Sequence, residues 1–197
     1  MLTVARYEVR LSGAGGQGII VAGIILAEAA GIYEGKEVCQ TQAYGPEARG
    51  GASKSEVVIS DQEIDYPKAI QPDLLLAMNQ QSCDAYAHDL KPNGLLIVDS
   101  TLVHDLPARP AIALPFTKIA RQDLGTEMVA NIVALGALAK IAGIVSVANL
   151  EKAVRGRVPP GTEDLNCRAL AAGVEAATQF LRTRVLQVLE EEKPADL

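Results

Sequence analysis

The sequence predicts a three-layer α/β fold: a doubly wound, mostly parallel sheet with a helical C-terminal third. Three observations predict it. Strand-like and helix-like runs alternate as far as Leu114, the runs Leu74–Ala77 and Leu95–Val98 are apolar at every position, and a glycine turn joins the first strand to the first helix. Continuous apolar runs are the mark of strands covered on both faces, and strands alternating with helices wind into a parallel sheet.

The elements follow in order. Tyr7–Leu11 alternates as a strand does and ends at the turn Ser12–Gly18, after which Ile19–Ala30 is apolar with small residues at helical spacing. Gly31 and Gly35 close that helix, and Glu37–Thr41 is a second strand. Ala43–Gly51 contains three glycines and a proline, so it is a loop. Ser53–Ile59 is a third strand with a turn at Ser60-Asp61-Gln62, and Leu74–Ala77 follows Pro72-Asp73 as a buried strand. A helix is expected over Gln80–Leu90, stopped by Pro92-Asn93-Gly94; Gly94–Asp99 and Ala111–Leu114 are the last strands. From Phe116 the pattern becomes helical, with Met128–Ala142 and Val147–Arg155 apolar on repeating faces. Pro159-Pro160-Gly161 breaks the chain, and Thr162–Asn166 begins a helix that runs to about Glu191. A single domain is expected over 1–197, with its core at about 7–185, the helical third packed back on the sheet, and 190–197 a solvated tail.

Composition narrows the function. A chain of 197 residues, 49% hydrophobic and 21% charged, can bury a full core. Its longest apolar run, Ile19–Ala30, is interrupted by Glu28 and is shorter than the roughly 18–20 residues a membrane span needs, so no membrane partner is expected. Tyr7–Leu11 already reads as a strand where a leader would have its apolar core, which makes the cytoplasm the expected location. A net charge of −6 repels a phosphate backbone, and nucleic acid is not an expected partner. Cys39, Cys83 and Cys167 form no Cys-x-x-Cys pair and lack the ligand spacing of a zinc or iron–sulfur site; ordinary reduced thiols are expected. His88 and His104 are expected in surface or capping roles, and no metal site is expected.

Gly13, Gly15 and Gly18 form G-x-G-x-x-G between strand and helix, where backbone N–H groups and a helix dipole favour an anion. A nicotinamide or flavin site is the first reading. That reading also requires an acidic residue about 20 residues on, at the end of the second strand, to hold the ribose. Gln40–Gln42 stand there instead, and Glu34 and Glu37 precede the strand body and point away. Gly16 and Gln17 remain able to offer N–H groups and an amide to an anion or a neighbouring chain.

Beyond the turn, Ala22-Gly23, Leu26–Ala30, Asn131–Gly136, Asn166 and above all Gln42-Ala43-Tyr44-Gly45-Pro46-Glu47-Ala48-Arg49-Gly50-Gly51-Ala52-Ser53 carry a resemblance. From about residue 7 to 185 the chain resembles the gamma subunit of 2-oxoacid:ferredoxin oxidoreductases, especially the 2-oxoglutarate type. Pyruvate, ketoisovalerate and indolepyruvate enzymes have related domains, and no residue here is assignable to the substrate's side chain. The resemblance implies a heteromeric enzyme that decarboxylates a 2-oxoacid on thiamine diphosphate, passes two electrons through iron–sulfur clusters to ferredoxin and releases an acyl-CoA. Alpha and beta subunits would hold the thiamine diphosphate with its magnesium, and a ferredoxin-like subunit the clusters. This chain has no Gly-Asp-Gly with a following Asn and no cluster cysteines, so no catalytic residue and no cofactor of its own are expected, and the isolated chain should be inactive.

Within that frame Gln42, Tyr44, Gly45, Pro46, Glu47, Arg49, Gly50 and Gly51 form an expected active-site or interface loop. Arg49 could pair bidentately with a carboxylate or phosphate of a 2-oxoacid or CoA held by a neighbour; it could also pair with Glu47 or Glu56, or be solvated. Tyr44 could stack over the loop or pack on the sheet edge. Asn131 and Asn166, each early in a helix, are interface candidates for which helix capping is the plainer role. The alternatives from other classes are a stand-alone dinucleotide-binding oxidoreductase and a structural scaffold.

Overall fold

The computed structural model describes residues 6–43 and 52–191. Among the described residues six strands form one sheet: β1 (Tyr7–Ala14), β2 (Glu37–Ala43), β3 (Ala52–Ser60), β4 (Leu74–Ala77), β5 (Leu95–Asp99) and β6 (Ile112–Leu114), in the order β2-β3-β1-β4-β5-β6. β1, β4, β5 and β6 pair in parallel. β3 runs antiparallel to both β1 and β2, so β2 points the same way as β1 and β3 is the one reversed strand. The helices are α1 (Ile19–Glu28), α2 (Gln80–Tyr86), α3 (Phe116–Asp123), α4 (Ala130–Ala142), α5 (Val147–Arg157) and α6 (Glu163–Glu191). None of the described helices is long and apolar enough to cross a membrane.

Alternate side chains of the central strands enter two different cores, as their unbroken apolar runs require. Leu74 and Leu76 join Val9, Leu11, Val57, Ile59 and Ile97 beneath α1, α4, α5 and α6. Leu75, Ala77, Leu96 and Val98 face the other way and are covered by Cys83, Ala87, Leu90 and Val103. The sheet is therefore wound on both faces, with the heavier layer on the α4 side.

Two helices depart from the expected bounds. The apolar run after the glycine turn leaves α-geometry at Glu28 and widens into a π turn over Ala29–Tyr33. Gly35, at φ 69°, is the actual stop, closed by the Lys36 N–H on the Ala30 carbonyl at 3.1 Å. The helix expected over Gln80–Leu90 is α2 followed by a 3₁₀ turn at Ala87–Asp89. Asn79 caps its start through Oδ1 and the Ser82 N–H. Arg109 takes up the freed carbonyls of Ala87, Lys91 and Gly94 at its end.

Two contacts set how the layers sit. α4 and α6 cross backbone to backbone: a Cβ at Gly173 would lie 1.8 Å from the Val133 carbonyl oxygen, and one at Gly136 would lie 2.1 Å from that of Leu170. On the second face, Arg10 and Glu56 are opposite residues of β1 and β3 and form a buried ion pair at 2.9 Å. Asp89 also binds Arg10, Lys54 binds Glu56 at 3.1 Å, and the guanidinium lies 5.1 Å from the Tyr86 ring centre.

Candidate functional site

The carboxyl ends of β1 and β2 and the start of β3 meet at one edge of the sheet, since Ala14 pairs with Ala52 and Ala43 with Lys54. The glycine turn and the two ends of the connection 44–51 therefore lie side by side. Tyr44, Gly45, Pro46, Glu47, Arg49, Gly50 and Gly51 fall outside the described residues; Gln42, the loop candidate that lies within them, is exposed near the end of β2. Glu56 is already occupied by Arg10 and Lys54.

The turn's glycines have different jobs. A Cβ at Gly13 would meet Gln17 Oε1 at 2.6 Å, so Gly13 makes room for the Gln17 amide. That amide accepts from the Ala14 N–H at 2.7 Å and donates to the Met78 carbonyl at 3.2 Å, bracing the turn against the end of β4. Gly16 and Gly18 adopt left-handed φ of 93° and 68°. A Cβ at Gly18 would stand 2.4 Å from Asn131 Nδ2, whose N–H donates to the Gly18 carbonyl at 3.0 Å. Gly15 has no such reason among the described residues: its φ is not positive and none of them lies within 4 Å of where its Cβ would be.

Gly16 and Gly18 open onto a cavity of about 330 Å³ whose walls come largely from the beginnings of three helices. Gly18 is the N-cap of α1; Thr126 caps the 3₁₀ turn leading into α4, where Asn131 sits; Thr162 precedes α6, where Asn166 sits. Each such terminus carries roughly +0.5 of a charge. Asn131 and Asn166 are 6% and 7% exposed. Asn166 spends its NH₂ group on the carbonyl and hydroxyl of Thr162. Val21, Val158 and Leu165 supply apolar wall, and Met128 stands on the rim at 86% exposure. No described residue lining the cavity is ionisable. The two asparagines and the glycine turn were separate candidates in the sequence, and folding brings them to one place. Thr126, Thr162 and Met128 carried no signal of their own, because their adjacency depends on how the helical third folds back.

The arrangement differs from a dinucleotide site. In that site the strand after the first helix lies beside β1, and its terminal carboxylate reaches the ribose. Here β3 is inserted between them, which moves β2 away by a further strand spacing of about 4.8 Å. Gln40 at that position is turned to Ser55 Oγ at 2.8 Å. Glu34 is used elsewhere, accepting from the Ser146 N–H at 2.6 Å and the Asn149 amide at the start of α5. Burial, followed by the charge of Asp84, pushes the Cys83 thiol above its usual range, and burial raises that of Cys167, which leaves both as poor nucleophiles at neutral pH. Among the described residues no three His, Cys, Asp or Glu side chains gather as a metal site.

These features define a class: a doubly wound α/β chain whose glycine-turn edge gathers helix termini and carboxamides, a chemistry suited to an anionic or polar group. The chain matches the pyruvate ferredoxin/flavodoxin oxidoreductase family over residues 8–176 and belongs to that family. It is 51% identical to the 2-oxoglutarate synthase subunit KorC of Methanocaldococcus jannaschii, over 89% of this chain and 96% of that protein. It superposes on the gamma subunit of a keto/oxoacid ferredoxin oxidoreductase from Geobacter sulfurreducens with a TM-score of 0.81 at 51% identity, covering 89% of this chain and 98% of that one. The ketoisovalerate oxidoreductase subunit VorA of Methanothermobacter thermautotrophicus is 38% identical over 87% of this chain, which corresponds to only 36% of that longer protein.

Proposed function

We propose that this chain is the gamma subunit of a heteromeric 2-oxoglutarate:ferredoxin oxidoreductase of the cytoplasm, which converts the 2-oxoacid to an acyl-CoA and CO₂ and sends two electrons to ferredoxin. The observation that carries the reading is the cavity at the carboxyl edge, where three helix termini and two buried carboxamides converge with no ionisable group among the described lining residues. Such an edge binds and orients a polar or anionic group and leaves bond-breaking to others. Relatives named for 2-oxoglutarate at about half identity favour that substrate over pyruvate or ketoisovalerate.

In this reading alpha and beta subunits hold thiamine diphosphate and magnesium, and a ferredoxin-like subunit holds the iron–sulfur clusters. Among the described residues no three His, Cys, Asp or Glu side chains gather as a metal site, and in this reading no step of the chemistry is assigned to this chain. Its part is to close one side of the assembled site. The glycine edge and Arg49 receive a carboxylate or phosphate of the 2-oxoacid or of CoA.

The test is affinity purification of the chain from its own cytoplasm, followed by assay of the isolated chain and of the complex. Co-elution of a thiamine diphosphate protein and a cluster protein, with 2-oxoglutarate turnover only in the complex, is expected. Turnover by the isolated chain, or micromolar binding of NAD(H), NADP(H) or flavin to it, would sink the reading.

A further inference from the structure

We infer that Asn131 is a positioning residue for this edge: by holding the Gly18 carbonyl it fixes the spacing between the N-termini of α1 and α4, and so the shape of the cavity between them. The inference rests on the proposed role of the edge in receiving a substrate or CoA group.

The geometry separates this role from a plain contribution to folding. Asn131 lies in the first turn of α4 and is 113 residues from its partner Gly18. Both ends of its amide are committed: Nδ2 donates to the Gly18 carbonyl at 3.0 Å, and Oδ1 accepts from the Ile132 N–H at 3.0 Å. The orientation of the side chain is thereby fixed, with the NH₂ group toward the turn. The Gly18 carbonyl has a second donor, the Ala22 N–H at 3.0 Å, which closes the first turn of α1. Removing the Asn131 amide therefore leaves the helix start hydrogen-bonded and Gly18 in a conformation glycine adopts freely. What is lost is the tie between two helix starts that both wall the cavity. An apolar residue at 131 could fill the same space, but it could not hold the carbonyl. The tight fit of Gly18 against Nδ2 shows that little slack exists between the two termini.

The experiment compares the assembled complex carrying Asn131→Ala, Asn131→Leu or Arg49→Ala with the wild type, reading kcat and the KM values for CoA and 2-oxoglutarate separately. Asn131→Leu keeps the side-chain volume and adds no charge while removing the donor, and it carries the test if Asn131→Ala fails to assemble. The expected result is a rise in KM for CoA or 2-oxoglutarate of roughly three- to tenfold, the worth of one net hydrogen bond, with kcat held within about twofold. A fold-only role would lower the yield or melting temperature of the complex and leave KM where it was. Unchanged KM values for both substrates in the Asn131 variants overturn the inference. If Arg49→Ala shifts KM while they do not, the edge keeps its proposed role; if Arg49→Ala is silent too, that role falls with the inference.

Discussion

Two regions of this molecule use glycine to bring chain segments close, and they do so to opposite ends. At the α4–α6 crossing, Gly136 and Gly173 each face a carbonyl oxygen about 2 Å from where a Cβ would be, so the missing side chains are filled by the protein's own backbone. At the turn after β1, Gly13 and Gly18 are likewise filled, by Gln17 and Asn131, but no described residue comes within 4 Å of where a Cβ would be at Gly15 or Gly16. The crossing is finished within the chain. The turn is braced on its inner side and, among the described residues, left uncovered on its outer side, as the proposed role of receiving a group from outside requires.

The comparison can be broken at its strongest point first. Gly173→Ala should cost about 3 kcal/mol or more, because backbone cannot yield as a flexible side chain can, and should lower the melting temperature of the isolated chain by roughly 6–12 °C. A change of only a degree or two in thermal denaturation would mean that the crossing is not closed as described. Gln17→Ala removes two brace bonds of the turn, to Ala14 and Met78, and should cost about 2 kcal/mol by urea denaturation. Equal stability of variant and wild type would show that the turn stands without its brace.

Gly18 and Asn131 provide a finer test. Gly18→Ala pays both a left-handed backbone cost of about 1 kcal/mol and a collision with the Asn131 amide. In an Asn131→Ala background the collision disappears, so a double-mutant cycle on stability should return a coupling of about 1 kcal/mol. Strict additivity would place the two residues out of touch. The smallest effect on folding belongs to Gly15→Ala, within about 0.5 kcal/mol of wild type, since no described residue opposes the added methyl. In the assembled complex the same change should raise a substrate KM several-fold; an unaltered KM would make the outer side of the turn mere solvent-facing loop.

How much of this was legible in the sequence varies with the range of the forces involved. Leu74–Ala77 could be placed to the residue because two-sided burial leaves an unbroken apolar run between turn signals. The π turn at Ala29–Tyr33 could not, since apolar spacing does not separate a widened turn from a regular one. The reversal of β3 was visible in principle. Only eight residues join Ala43 to Ala52, and a parallel crossover needs a dozen or more, so β3 could return only antiparallel to β2. At the site, the glycine turn, Asn131 and Asn166 were marked by residue type. Their convergence, and the recruitment of Thr126, Thr162 and Met128, depends on long-range packing of α4 and α6 that no local pattern records.

The buried Arg10–Glu56 pair has a consequence for anyone transplanting the segment between β2 and β3 into another scaffold. Sliding β3 by two residues would keep its apolar face inward yet set Arg10 against Val58 or Lys54 instead of a carboxylate, stranding charges away from water. It would also carry the root of the 44–51 segment some 7 Å along the edge. The pair thus works as a registration pin, and a graft that omits it would deliver the right loop to the wrong address.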